Sequence, residues 1–142
     1  MNALLSFAYS LLASDCAAAL EGAGLDPYVG FLHRARPGRR SLALDLMEEL
    51  RTVLADRFVL SCINQKVLNA KHFEKQENGA ILLTEEGRRA FLNAWQQKKR
   101  EVITHPFLKE KLCWGLVPYV QALLLARTLR GDLEVYPPFF WK

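Results

Sequence analysis

The chain has 142 residues, 51% hydrophobic and 24% charged, with 19 Lys and Arg against 15 Asp and Glu for a net charge of +4. That length and balance fit one globular domain with its own core and exclude a disordered or collagen-like chain. A mildly basic chain permits a nucleic-acid partner without requiring one, while three scattered cysteines, Cys16, Cys62 and Cys113, exclude a disulfide scaffold and fit reduced core thiols of a cytoplasmic protein.

Asn2 to about Glu21 predicts a helix. Asp15 is its only charge before Glu21, so it should be buried on most sides. No basic n-region opens the chain, so no signal peptide is expected. The uncharged runs Met1 to Ser14 and Leu112 to Ala126 fall short of the roughly 18 residues of a spanning helix, so no membrane is expected. Gly22 and Gly24 end the first helix, and Asp26-Pro27 opens a turn. A short apolar segment, Tyr28 to Leu32, delivers His33, and the loop Arg34 to Arg40 carries Arg34, Arg36, Arg39 and Arg40. Ser41 is placed to cap a helix running to about Gln65.

Val67 to Asn78 is irregular and polar, and Ala80 to Leu83 predicts a short strand after the Asn78-Gly79 turn. Thr84-Glu85-Glu86 caps a helix to about Ile103, with Phe91 and Trp95 as core and Lys98-Lys99-Arg100 favoured by the helix dipole. His105-Pro106 breaks the chain, and His72 and His105 have no partner visible in sequence. Phe107 to Arg130 predicts a further helix interrupted near Gly115 and Pro118, with Gly131 ending it. The fold class is therefore mainly α, about five helices in residues 1–134 with at most a small β-hairpin. Residues 135–142 form a proline-rich aromatic tail, apolar enough to dock on a partner.

At ~100° per residue, the helix after Ser41 places Leu42, Leu46, Leu50, Val53 and Leu60 on one side, widened by Ala43, Met47, Leu54 and Phe58. Asp45, Glu48, Glu49, Thr52 and Asp56 fall on the opposite arc. Asp45 and Glu48 stand at i, i+3, so their carboxylates can share one cation. Two close like charges need a cation, a proton or solvent between them. Oxygen ligands favour magnesium or manganese, and an imidazole from His33 tilts the choice to manganese. The bland alternative is an ordinary solvated acidic face and a packed histidine. The four arginines form a compact phosphate-binding surface beside the acidic stripe, or else pair with Glu48, Glu49 and Asp56.

The chain resembles the C-terminal helical domain of the CRISPR-adaptation integrase-nuclease family, the first of the Cas proteins. The resemblance is carried by Asn2-Ala3-Leu4-Leu5-Ser6-Phe7 with Tyr9, and by Gly24-Leu25-Asp26-Pro27-Tyr28-Val29-Gly30-Phe31-Leu32-His33. It continues through Arg36-Pro37-Gly38-Arg39 and Ser41-Leu42-Ala43-Leu44-Asp45-Leu46-Met47-Glu48-Glu49. Leu83-Thr84-Glu85-Glu86-Gly87-Arg88 and Tyr136-Pro137-Pro138-Phe139-Phe140-Trp141 complete it. Within the family, the resemblance leans towards the branch found in type I-C systems. It implies a metal-dependent DNA endonuclease and integrase of spacer acquisition, using Mg2+ or Mn2+. His33 and Glu48 would be catalytic, with His33, Glu48 and Asp45 as metal ligands. DNA (spacer precursor and repeat), a second Cas protein and a homodimer partner are the implied partners. The family also uses a glutamate from an earlier helix and an N-terminal β-rich dimerisation domain. Neither is in this sequence, so a truncated product, inactive alone, is expected. The competing readings are a non-catalytic DNA-binding module, since Ile81 to Arg88 also fits the step after a winged-helix wing, and a helical interaction module without metal.

Overall fold

Leu4, Ala8, Leu12, Cys16 and Leu20 recur every four residues, and in the computed structural model all five are at most 1% exposed along one side of α1 (Asn2–Gly22). The structure describes residues 2–26 and 41–139. Before the last turn of α1 only a narrow ridge, Ser6, Ser10, Ser14 and Ala18, is exposed among the described residues, which accounts for Asp15 being its one charge ahead of Glu21. By length and composition Ala3–Gly22 is apolar enough to cross a bilayer, with mean hydropathy 1.5. The uncharged stretch alone is too short for that, and the longer span includes Asp15. The buried stripe of α1 packs on α2 (Ser41–Leu50) and α5 (Val117–Leu129). Gly24, at φ +82°, ends α1 as expected, and the Leu25 N–H returns to the Leu20 carbonyl at 2.8 Å.

α2 continues into a π-helical turn, Arg51–Asp56, and then α3 (Arg57–Asn64). The reason lies in the spacing of the apolar residues. Leu42, Leu46, Leu50, Leu54, Phe58 and Cys62 are all buried and recur every four residues. In an α-helix each such step overshoots a full turn by ~40°, so five steps would carry the stripe ~200° round the axis. The extra residue of the π turn takes back ~100° of that drift. This corrects the uniform helical face read from sequence: Leu60 is half exposed and Val53 is only partly covered.

The polar stretch after α3 forms a single 3-10 turn, Ala70–His72, with a capping box. The Asn69 side chain accepts from the Lys71 N–H, and His72 Nδ1 accepts from the Asn69 N–H at 3.0 Å, so His72 is a cap. The expected strand β2 (Ile81–Leu83) pairs antiparallel with β1 (Phe73–Lys75), with Phe73 opposite Leu83. Thr84 caps α4 (Glu85–Arg100) by accepting from the Gly87 N–H at 3.1 Å. Gly87 lets the hairpin come close: a Cβ there would stand 2.6 Å from the His72 carbonyl oxygen.

α4 stops at Arg100 rather than Ile103 because Val102–Thr104 forms β3, antiparallel to β4 (Lys111–Cys113). This second hairpin replaces the helix expected from Phe107. His105 enables it. Its ring Nδ1 accepts the Phe107 and Leu108 N–H groups, both at 3.1 Å, and closes the turn as a side-chain cap. A 3-10 turn, Trp114–Leu116, leads into α5, which carries Pro118 in its first turn where no N–H is needed. The mainly α class stands, with two two-stranded sheets among the described residues.

The core centres on Phe58, which meets Phe91 and Trp95 with ring centroids 5.0 Å away in each case. Trp95 Nε1 donates to Asp15 Oδ2 at 3.1 Å and Lys99 Nζ reaches the same oxygen at 3.3 Å, so the charge in the middle of α1 is paired. Burial pushes the Cys62 thiol up to about 11 and drives Cys16 still higher, while Cys113 is only partly covered. Thiolate is the reactive form. Iodoacetamide at neutral pH should therefore label Cys113 first in the native chain, and Cys16 and Cys62 only once denaturant is added. Mass mapping of the labelled peptides checks this order, and native labelling of Cys16 would contradict the packing.

Candidate functional site

α2 presents three carboxylates within two turns, and the structure gives each a different environment. Glu48 is 39% exposed at its side chain and pairs with Arg51 Nη1 at 3.1 Å. Such a half-open i, i+3 pair contributes little to stability and can be exchanged for another cation. The Arg51 guanidinium also lies over the Tyr9 ring at 5.8 Å, and the Tyr9 hydroxyl donates to Asp56 Oδ1 at 2.6 Å. That bond raises the Tyr9 pKa and ties α1 to the π turn. Asp45 is buried, 7% exposed, and has a polar partner in the fold.

Glu49 is the correction to the solvated acidic arc, because α5 and the chain after it lie across that arc. Its Oε1 accepts from Gln121 Nε2 at 2.8 Å, the Phe139 N–H at 2.6 Å and the Tyr136 hydroxyl at 2.9 Å. Oε2 takes the Tyr136 hydroxyl at 2.9 Å as well. Burial pushes the Glu49 carboxyl above its ordinary range, and the bonds from Phe139, Tyr136 and Gln121 pull it back. Burial first, and then the Glu49 charge, raises Tyr136.

The network has a fixed direction. His105 Nδ1 accepts two backbone N–H groups, so the ring proton sits on Nε2 and is donated to Gln121 Oε1 at 2.7 Å. The Gln121 amide is thereby oriented with its NH2 towards Glu49, the Tyr136 hydroxyl and the Pro137 carbonyl. His105 and Gln121 are both fully buried. The His105 ring packs T-shaped against Phe139, with centroids 5.3 Å apart, and the Trp114 ring also meets Phe139, tilted, at 5.7 Å. The segment 135–139 thus docks on its own domain. In the sequence, His105 shows no partner and Gln121 does not stand out as functional. The usable signal was a lone Gln inside the uncharged run Leu112 to Ala126.

Asp45, Glu48 and Glu49 open on one hollow of about 500 Å3, walled among the described residues by Leu42 and Leu46 of α2, Leu125 and Thr128 of α5, and Tyr136 and Pro138. Asp45 and Glu48 are therefore brought to one place, as their spacing required. His33, Arg34, Arg36, Arg39 and Arg40 lie outside the described residues. Among the described residues no cluster of three or more His, Cys, Asp or Glu is arranged to hold a metal. The donor chemistry of Asp45 and Glu48 suits a hard divalent cation, and by number it makes a partial ligand set.

A protein-family model described as "CRISPR associated protein Cas1" matches residues 1–97. The chain belongs to the Cas1 family. A CRISPR-associated endonuclease Cas1 of Rhodospirillum rubrum is 62% identical over 99% of this chain. Among solved structures, a casposase bound to integration product superposes with a TM-score of 0.85 at 30% identity over 99% of the chain. A chain of a partial Cas6-RT-Cas1–Cas2 complex superposes at 0.77 and 28% identity, again over 99%. The chain spans 41% of the length of each of these three proteins. The fold of α1 to α5 is thus shared with these structures. The winged-helix alternative gains a paired hairpin but not the rest, since the segment just before β1 is a 3-10 turn rather than a recognition helix.

Replacing Gln121 by Met should keep the packing volume but strand the His105 Nε2–H and remove one donor from Glu49. A buried polar group left without its partner costs about 1–3 kcal/mol. Urea unfolding of Gln121→Met should show a loss of that order with the slope unchanged. An unaltered midpoint would mean that the relay contributes nothing to stability.

Proposed function

We propose that this domain carries the carboxylate half of a metal-dependent DNA endonuclease and integrase site of CRISPR adaptation. The observation that supports it is the convergence of Asp45 and Glu48, one turn apart, on a single hollow, in a chain of the Cas1 family. Asp45 and Glu48 would hold a Mg2+ or Mn2+ ion together with His33, whose neutral imidazole is an acceptable third ligand. The ion would stabilise charge on attacking and leaving oxygens of a phosphodiester. The chain's own part is to fix the carboxylates on a buried helix, so that they do not reorganise when DNA arrives. Arg51 neutralises Glu48 in the absence of a cation.

DNA is the proposed substrate, as spacer precursor and repeat, with Arg34, Arg36, Arg39 and Arg40 as phosphate contacts. A second Cas protein and another copy of this protein are the proposed partners, and the cytoplasm the proposed location. The likeness to a chain from a complex of Cas1 with Cas2 supports the partner assignment, and the likeness to a casposase bound to integration product supports DNA as substrate. His33, Asp45 and Glu48 leave an octahedral Mg2+ shell half to water, so this domain by itself should hold the ion weakly and cut poorly.

Two experiments test the proposal. The chain joined to the part of the Rhodospirillum rubrum relative that it does not cover should cleave and join DNA with Mn2+, and His33→Ala or Glu48→Ala should remove that activity. The chain alone should show none above its Glu48→Ala variant. Robust cutting by the chain alone, lost in His33→Ala, would overturn the partial-site reading. Separately, removing two of the four loop arginines should lower the slope of log affinity against log salt by roughly two for duplex DNA. An unchanged slope would assign those arginines to pairs within the fold.

A further inference from the structure

We infer that Glu49 is a positioning residue: gripped by Gln121, Tyr136 and the Phe139 backbone, it sets the rotation of α2 and so the directions in which Asp45 and Glu48 present their oxygens. The inference rests on the proposed cation-binding role of those two carboxylates. Glu49 adjoins Glu48 in sequence and lies one turn beyond Asp45. Whatever holds Glu49 in place therefore holds that whole turn.

Apolar packing does not fix this rotation by itself. The buried stripe of α2 drifts round its axis, and a π turn begins at Arg51, immediately after it. Hydrophobic contact is non-directional, whereas hydrogen bonds are directional. Here three donors from α5 and the segment beyond it converge on one carboxylate. Those donors are themselves fixed. The Gln121 amide is oriented by the His105 Nε2–H, and the His105 ring is oriented by two backbone N–H groups of the β3–β4 turn. The chain of contacts thus runs from the second hairpin through α5 to α2. Glu49 is not itself a free ligand, since its two oxygens already receive four hydrogen-bond contacts. Partners hydrogen-bonded directly to metal ligands typically matter 10- to 100-fold for metal affinity, and a residue acting through the helix backbone is expected at the lower end of that range.

The test uses Mn2+ as probe on the full 142-residue chain, with free ion read by electron paramagnetic resonance. Hydrogen exchange of the α2 amides is read in parallel. Glu49→Leu should weaken Mn2+ binding about tenfold and speed exchange in α2. Glu49→Gln, which keeps an oxygen to accept from Phe139, should restore most of both. Tyr136→Phe, a milder loss of one donor, should fall between and serves if Glu49→Leu does not fold. If Glu49→Gln binds Mn2+ as poorly as Glu49→Leu, Glu49 acts through its charge and the positioning role is overturned. Unchanged affinity and exchange in Glu49→Leu overturn it equally. A wild-type affinity indifferent to Glu48→Ala removes the cation-binding proposal instead. In that case α2 exchange alone decides whether Glu49 positions the turn: faster in Glu49→Leu supports it, unchanged overturns it.

Discussion

The arrangement depends on one half-buried carboxylate. Glu49 sits where a charge should be costly, beneath α5 and the segment that follows it. Desolvation alone would favour its protonated form. Donors from a side-chain amide, a phenol and a backbone N–H offset that cost, and in doing so they define where their own elements must lie. The tail is not held by apolar contact alone: Phe139 packs on the His105 and Trp114 rings while its N–H reaches the carboxylate. Packing and polar satisfaction therefore point to the same placement. That agreement is what distinguishes a specified contact from a merely compatible one.

The environments of the three α2 acids differ sharply despite near-identical chemistry. Glu49 is saturated with donors, Glu48 stays half open beside Arg51, and Asp45 is covered yet edges the hollow. A site that must accept and release a cation cannot have all its acids saturated. All three line the hollow beside Leu125 and Thr128 of α5, but Glu49 is the one bonded to Gln121 of α5, which sets it apart as the structural acid. The largely apolar walls of the hollow, Leu42, Leu46 and Leu125 among them, lower the local dielectric and strengthen any charge contact made there.

Much of this was readable in the sequence. The cap at Thr84, the stop at Gly24, the core roles of Phe91 and Trp95 and the joint placement of Asp45 and Glu48 all follow from local rules. These are short-range or periodic signals. The β3–β4 hairpin was not readable. Val102–Thr104 and Lys111–Cys113 are three residues each, and their pairing depends on His105 folding back on the turn. The fate of Glu49 was hidden for a similar reason. Its partners lie 72, 87 and 90 residues away in sequence, and no window of the chain contains both sides. His33 and the arginine loop stand outside the described residues, so that half of the site rests on the family resemblance.

The π turn at Arg51–Asp56 keeps two half-helices in different phases. Upstream of it, the helix turns its buried side to α1 and the acids towards α5. Downstream, α3 turns Phe58 and Cys62 to the core that α4 closes with Phe91 and Trp95. The extra residue therefore works like a keyed shaft coupling. Each half can be matched to its own neighbour only because the joint carries an offset. Shortening the joint by a single residue would leave every side chain chemically intact. It would nonetheless point one half's buried row at solvent, which makes this stretch far less tolerant of deletion than of substitution.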